Sequence, residues 1–268
     1  MEDLDPTEIA RQLTLIEWNL FRRIAPKELL SLSWSKKDKE FRSPNVLKMI
    51  ARFNEVSNWI CVQILTELDV KKRANNIRKI ILIGEELYKL RNFNGVFEIT
   101  SGLLSAGVTR LKLSWELVPK PAYKIYEKLK ELTDSEANFG KYREAVAVLP
   151  HQSCLPYLGR ILSDIVFIEE GNPIFLENGH VNFIKCRMIG DVITQLRRYQ
   201  QHPYNLQTID TIAEFLSGHQ IVSEDDCFRM SLEIEPRIKK REVITTVPAV
   251  VAAGPAHIPP QYMYNKEI

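Results

Sequence analysis

Glu169 and Glu170 stand side by side in the stretch SDIVFIEEGNP, residues 163–173. Two carboxylates can divide acid and base work, but only when both reach one substrate. Adjacent residues on a helix point about 100° apart, so these two would not converge. The histidines, His151, His180, His202, His219 and His257, are scattered. None stands at metal-ligand spacing from another, and none belongs to a recognisable nucleophile–base arrangement. Each reads as a loop or surface residue. Cys61, Cys154, Cys186 and Cys227 are far apart and form no C-x-x-C pair. That speaks against zinc and against a disulfide framework. Free thiols in a reducing compartment, the cytosol, are the default expectation. Neither G-x-x-x-x-G-K-[ST] nor G-x-G-x-x-G occurs, so no phosphate-binding loop of the chain's own is expected. Nothing points to covalent catalysis or to a cofactor.

The two glutamates are better read with the helix that carries them. From Leu158 to Ile168, seven of eleven residues are large and apolar, too many for one core-facing stripe. Gly171-Asn172-Pro173 then reads as a helix stop. Carboxylates in a last turn face the negative end of the helix dipole, a cost of a few tenths of a kcal/mol. Val166 and Glu170 are spaced i, i+4 and share one face, with Ser163 a turn earlier. Ile161, Ile165 and Ile168 lie on another face and can serve the core. Two readings stay open from spacing alone. Val166 and Phe167 pack under a neighbouring helix with Glu170 solvated, or the helix is built to be inserted into something.

The elements around this stretch are helical. Ile9, Leu13, Ile16 and Leu20 recur at three and four over 6–24, with Thr7 or Asp5 as candidate caps. The pattern continues over 45–68, 71–90, 93–104, 121–132 and 138–148, then 158–170, 182–200, 208–216 and 225–235. No alternating strand series and no internal repeat stands out, so the expected fold is all-α, roughly ten helices. Residues 1–240 read as one domain. Residues 241–268 hold Pro248, Pro255, Pro259 and Pro260 and read as an extended or disordered tail. The basic run 239–241 reads as a solvated linker, with a membrane-surface contact as the sharper alternative. A net charge of +2 gives no basic field, so nucleic acid is not indicated. The start has no signal-peptide pattern, and no run of about 18 apolar residues predicts a transmembrane helix.

Seven segments, read in order, resemble one family: LDPTEIARQLTLIEWNLFRRI, ARFNEVSNWI, LRNFNGVFEITSGLLSAGVTRLKLSW, NFGKYR, LPYLGRILSDIVFIEEGNP, VNFIKCRMIGDVITQLRRYQQHPY and SLEIEPR. They are similar to the catalytic domain of Ras-family guanine-nucleotide exchange factors, the domain shared with son-of-sevenless. The resemblance runs from about Asp5 to Arg237. It implies a helical bowl with a protruding hairpin, here roughly 158–170 and 182–200. The family's accompanying helical motif does not precede the domain, so the chain is expected to be an isolated catalytic domain or a very short member.

The resemblance implies roles for particular residues. Val166 would be an apolar wedge where the magnesium ion of a Ras- or Rap-like GTPase sits. Glu170 would set a carboxylate near that GTPase's phosphate-binding loop and compete with phosphate. Ile50, Phe97, Phe139 and Tyr157 match the family's apolar pocket for an aromatic side chain of switch 2. Asn54, Leu103 and Leu104 would border that surface, and Ser163 and Phe167 share the inserted helix. Several members carry a polar residue, often Asn, where this chain has Leu104, so one hydrogen bond to switch 2 is expected to be missing. Asn92, Asn94 and Arg110 look structural, as does Glu235-Pro236-Arg237. The implied activity is exchange without covalent chemistry or cofactor, in the cytoplasm at the cytosolic face of membranes reached through a lipidated partner. The rival reading is a silent scaffold that binds a GTPase without releasing nucleotide.

Overall fold

Proline and side-chain caps set where the helices begin. The computed structural model describes residues 5–147, 152–219 and 221–236. The first helix, α1 (Pro6–Phe21), starts with proline at its first position, and Asp5 makes no side-chain cap bond. It stops three residues short of the span expected from sequence. A second proline opens α3 (Pro44–Leu65). Asp69 caps α4 (Val70–Lys89) by accepting from the amides of Lys71 and Lys72. Asn92 caps α5 (Phe93–Leu104) through the Gly95 amide. These helices, with α8 (Lys120–Leu132), enclose the main core, where Ile9, Leu13, Ile60, Ile77, Ile80, Val96 and Ile99 are fully buried. At Gly102 a Cβ would sit 2.7 Å from the Ser57 carbonyl oxygen, so only glycine lets α3 and α5 approach this closely.

Periodicity did not reveal residues 26–42. They form 3₁₀ turns at Pro26–Glu28 and Leu30–Ser35 and a short α2 (Lys39–Arg42). What holds them is remote: the Glu28 carboxylate accepts from the Asn45 and Val46 amides and so caps α3. Two further short helices, α6 (Ala106–Thr109) and α7 (Lys112–Glu116), turn the chain toward α8. Then come α9 (Gly140–Ala147), α10 (Leu158–Gly171), α11 (Phe183–Tyr199), α12 (Asp210–Phe215) and α13 (Glu224–Ile234). Among the described residues there are no strands, only isolated bridges such as Asn92–Leu155. The fold is all-α. No described helix is long and apolar enough to cross a membrane, and all four cysteines are free thiols. Residues 5–236 belong to one unit. The tail expected at 241–268 lies outside the described residues.

A second core seats α10 and α11. Leu158, Leu162 and Ile165 of α10 and Leu196 of α11 pack with Trp18 and Phe21 of α1 and with Val46 and Met49 of α3. Burying such side chains is worth roughly 1.5–3 kcal/mol each. That outweighs the dipole cost of the two glutamates.

Behind the junction of α1, α3 and α5 lies a fully buried pair of carboxyl groups, Glu17 and Glu98. Asn92 donates to Glu17 Oε2 and Asn94 to Glu98 Oε1, both at 2.9 Å. The remaining oxygens, Glu17 Oε1 and Glu98 Oε2, are buried without a hydrogen-bond partner. Two carboxyl groups buried this deeply and acting on each other resist ionising together. Burial and then the charge of Glu17 push Glu98 well above the usual range, against the pull of Arg52. A raised folded value gives stability that is full below the unfolded value, about 4.3, and is lost as pH rises toward the folded one. Glu98→Gln, which keeps a donor and needs no proton, will therefore gain on the wild type as pH is raised from 5 to 8. Melting curves at both pH values check this; parallel losses in the two proteins would contradict it.

Candidate functional site

The helices α10 and α11 form a hairpin whose turn is closed by main-chain bonds. The Asn182 amide donates to Ile174 O (2.9 Å) and the Leu176 amide to His180 O (2.8 Å). Asn182 also caps α11 through the Lys185 amide. Lys185 sits in the first turn of α11, where a cation is as misplaced as an anion is at the end of α10. The two faults answer each other. Buried Lys185 sets its ammonium 2.7 Å from the Glu169 carboxylate and donates to Glu169 O (3.0 Å) and Asn172 O (2.9 Å). One cation thereby pairs a charge and caps the end of the neighbouring helix.

Glu170, about 100° further round, is exposed and makes no ion pair among the described residues. Val166, one turn earlier, is half-buried rather than openly exposed, and Ser163 is half-buried with its hydroxyl donating to Gly159 O. The side chain that stands out on this helix is Phe167, 65% exposed. Across the hairpin, Phe183 and Ile184 are 75% and 70% exposed. Ile165 and Ile168 are buried as expected, whereas Ile161 is only partly so.

A cluster of aromatic rings lies where α3, α5 and the start of α10 meet. The Asn92–Leu155 bridge brings them together: Phe93 N donates to Leu155 O (2.9 Å) and Leu155 N to Arg91 O (3.0 Å). Tyr157 follows and stacks on Phe97, centroids 3.9 Å apart and planes within 6°. Phe53, Phe139 and Tyr142 complete the cluster at 5.8 Å from Tyr157, 5.8 Å from Phe97 and 5.5 Å from Phe97 respectively. Burial raises the Tyr157 phenol above its ordinary value. Phe97 is buried, Phe139 and Tyr157 half-buried, so the rings fill one another and present an apolar edge. Ile50 and Asn54 are neighbours on α3, the first partly buried and the second exposed.

Leu103 does not border this surface. It is fully buried in the main core. Leu104, the next residue, is exposed, and it lines a groove of about 450 Å³ with Trp115, Tyr123, Tyr126 and Lys130 that contains none of the clustered rings. Asn92 and Asn94 serve the α5 cap and the carboxyl pair. Arg110 donates to Glu235 O (2.7 Å) and to Ser231 O.

Sequence reasoning passed over the charged residues that bind cluster and hairpin together. Arg160 is 3% exposed, pairs with Asp164, and holds its guanidinium carbon 6.0 Å over the Phe139 ring. Arg143 reaches the same Asp164 oxygen at 3.0 Å. The signal was available: Arg160 is a lone charge in the apolar run LPYLGRIL.

The all-α domain thus carries an exposed carboxylate, Glu170, on a hairpin whose first helix starts directly after the cluster residue Tyr157. The family model for the RasGEF domain matches residues 8–187. The chain belongs to that family. It is 52% identical over 237 residues to Ras guanine nucleotide exchange factor P of Dictyostelium discoideum, covering 88% of this chain and 16% of that protein. With Ras-specific guanine nucleotide-releasing factor 2 of Danio rerio the identity is 39%, over 88% of this chain and 19% of the relative. With Ras guanine nucleotide exchange factor J of Dictyostelium discoideum it is 41%, over 90% and 30%. The chain thus spans less than a third of the length of these relatives.

Proposed function

We propose that the chain promotes release of GDP from a Ras- or Rap-like small GTPase. The α10–α11 hairpin enters the GTPase's nucleotide site. Val166 fills the place of the magnesium ion, and Glu170 offers a carboxylate to the phosphate-binding loop. The aromatic cluster takes a side chain of switch 2. The exchange factor undergoes no covalent change and acts in the cytoplasm, at membranes that the lipidated partner reaches. The observation that carries this reading is Glu170: exposed and unpaired at the end of a helix whose other last-turn carboxylate has its own lysine.

The energetics set what is required. A nucleotide held at picomolar affinity is bound by about 16 kcal/mol. A protein that binds the nucleotide-free state more tightly weakens nucleotide binding by the same factor. Each tenfold gain in release rate needs about 1.4 kcal/mol. One misplaced-for-itself carboxylate and one captured aromatic are groups of that size.

Glu170→Ala tests the division of labour. Release of GDP should slow about tenfold or more, while affinity for the nucleotide-free GTPase stays within about threefold. Unchanged release would remove Glu170 from the mechanism. Binding by the wild type without any release would instead favour a GTPase-binding scaffold.

A further inference from the structure

We propose that residues 22–48 form a membrane-contact surface, on which exposed lysines and arginines meet the anionic headgroups of a bilayer and the Phe41 ring enters it. This goes beyond the exchange reading, in which only the partner carries lipid.

The first observation is local charge. These residues hold eight of the chain's 36 Lys and Arg but only three of its 34 Asp and Glu, a net of +5 in a chain of +2. All eight cations are exposed. Only Arg42 has an ion-pair partner among the described residues, Asp38. Of the three anions, Glu28 is spent inside, 1% exposed and capping α3. The negative surface of a bilayer attracts a basic cluster of this size, by about fivefold in affinity for each cation that reaches it.

The second is an apolar side chain held out among these cations. Phe41 is 91% exposed, more than any other large apolar side chain described, and stands on α2 between Lys39 and Arg42. Leu30 is 45% exposed. Cations that reach headgroups beside a ring that reaches the acyl boundary are the parts of an interfacial anchor.

The third is a shape already set. The 3₁₀ turns and α2 pack on one another and on α3. Leu32 and Trp34 turn inward against the second core, and Ser43 Oγ donates to Glu28 O (2.8 Å). The turn at 30–35 also packs against α10, which ties this surface to the first helix of the hairpin. Five of the eight cations are lysines, a residue depleted from protein–protein interfaces. That composition favours headgroups over an acidic protein surface.

The test is co-sedimentation of the whole chain with vesicles of phosphatidylcholine, alone or with about a third phosphatidylserine. The wild type should bind the anionic vesicles only, and should release them as salt rises above about 0.15 M. The triple variant Lys36→Gln, Lys37→Gln, Lys39→Gln should bind about 100-fold more weakly, and Phe41→Ser about tenfold. Both variants should melt with the wild type, since none of these side chains is buried or paired. Both should discharge a GTPase in solution at the wild-type rate, and more slowly than the wild type when the GTPase is tethered to anionic vesicles. A wild type that ignores anionic vesicles overturns the proposal. So does wild-type binding retained by the triple variant. Slower release in solution by both variants makes the surface a contact for the GTPase itself and overturns it too. The sedimentation contains no GTPase, so a chain that binds vesicles as described but discharges no GTPase keeps this surface and loses the exchange reading.

Discussion

Glu235→Ala will destabilise the domain by about 3–5 kcal/mol, the usual loss when one partner of a buried ion pair is removed. Arg73 is 1% exposed, and its guanidinium is fully engaged. Its Nε donates to Ser114 Oγ (2.7 Å), its Nη1 to Glu67 O and Leu68 O, and its Nη2 faces Glu235 Oε1 at 3.3 Å. Glu235 in turn accepts from the Leu113 and Ser114 amides and the Ser114 hydroxyl. One carboxylate thus caps α7, neutralises a buried cation at the start of α4, and ties the end of α13 to both. Alanine would leave Arg73 charged and short of an acceptor in the interior, and would free two helix-end amides. Urea titration of the two proteins measures the difference, and Glu235→Gln, which keeps an acceptor, should lose less. A midpoint for Glu235→Ala within error of the wild type would mean that the ion pair contributes nothing.

Phe139→Ala will weaken the complex with nucleotide-free GTPase by about 2–4 kcal/mol, as expected of an aromatic anchor in a desolvated pocket. That corresponds to roughly 30- to 1000-fold in Kd. The ring is half-buried, 5.8 Å from Phe97 and 6.3 Å from Tyr157, under a cation at 6.0 Å. Removing it takes away a wall of the surface that a switch 2 side chain would meet. Its effect on folding should be smaller than on binding, since the ring is only partly buried and alanine relieves little or none of the strain of the left-handed backbone at this position. Titration of a labelled nucleotide-free GTPase gives Kd, and a melting curve gives the stability. A large loss of stability with Kd unchanged would make Phe139 a core residue and not a contact.

Local signals and remote ones were not equally legible in the sequence. Helix α5 could be read to its observed ends because Asn92, its own cap, and a dense apolar run mark them. Residues 26–42 could not, since their geometry depends on a carboxylate, Glu28, that reaches across to Asn45 and Val46. The start of α9 was read two residues early for a related reason: the backbone at 137–139 turns left-handed without a glycine to announce it.

The site divides along the same line. The awkwardness of two glutamates at a helix end was visible, and the hairpin resolves it differently for each. Glu169 finds Lys185 sixteen positions away, a partner that only the antiparallel packing of α10 on α11 supplies. Glu170 finds none. Leu103 and Leu104 could not be separated by motif matching, yet one step along a helix moves a side chain about 100°, from the core to the surface. The aromatic residues were legible as a set, but not that they would stack on one another, nor that Arg160 would lie beneath them.

The most direct test of the central claim is release of a fluorescent GDP from Ras, Rap, Ral and Rho GTPases with the chain added at micromolar concentration. The account predicts acceleration for the Ras or Rap group and little for Rho. Release at the intrinsic rate from every GTPase, with no stable nucleotide-free complex formed, would contradict it.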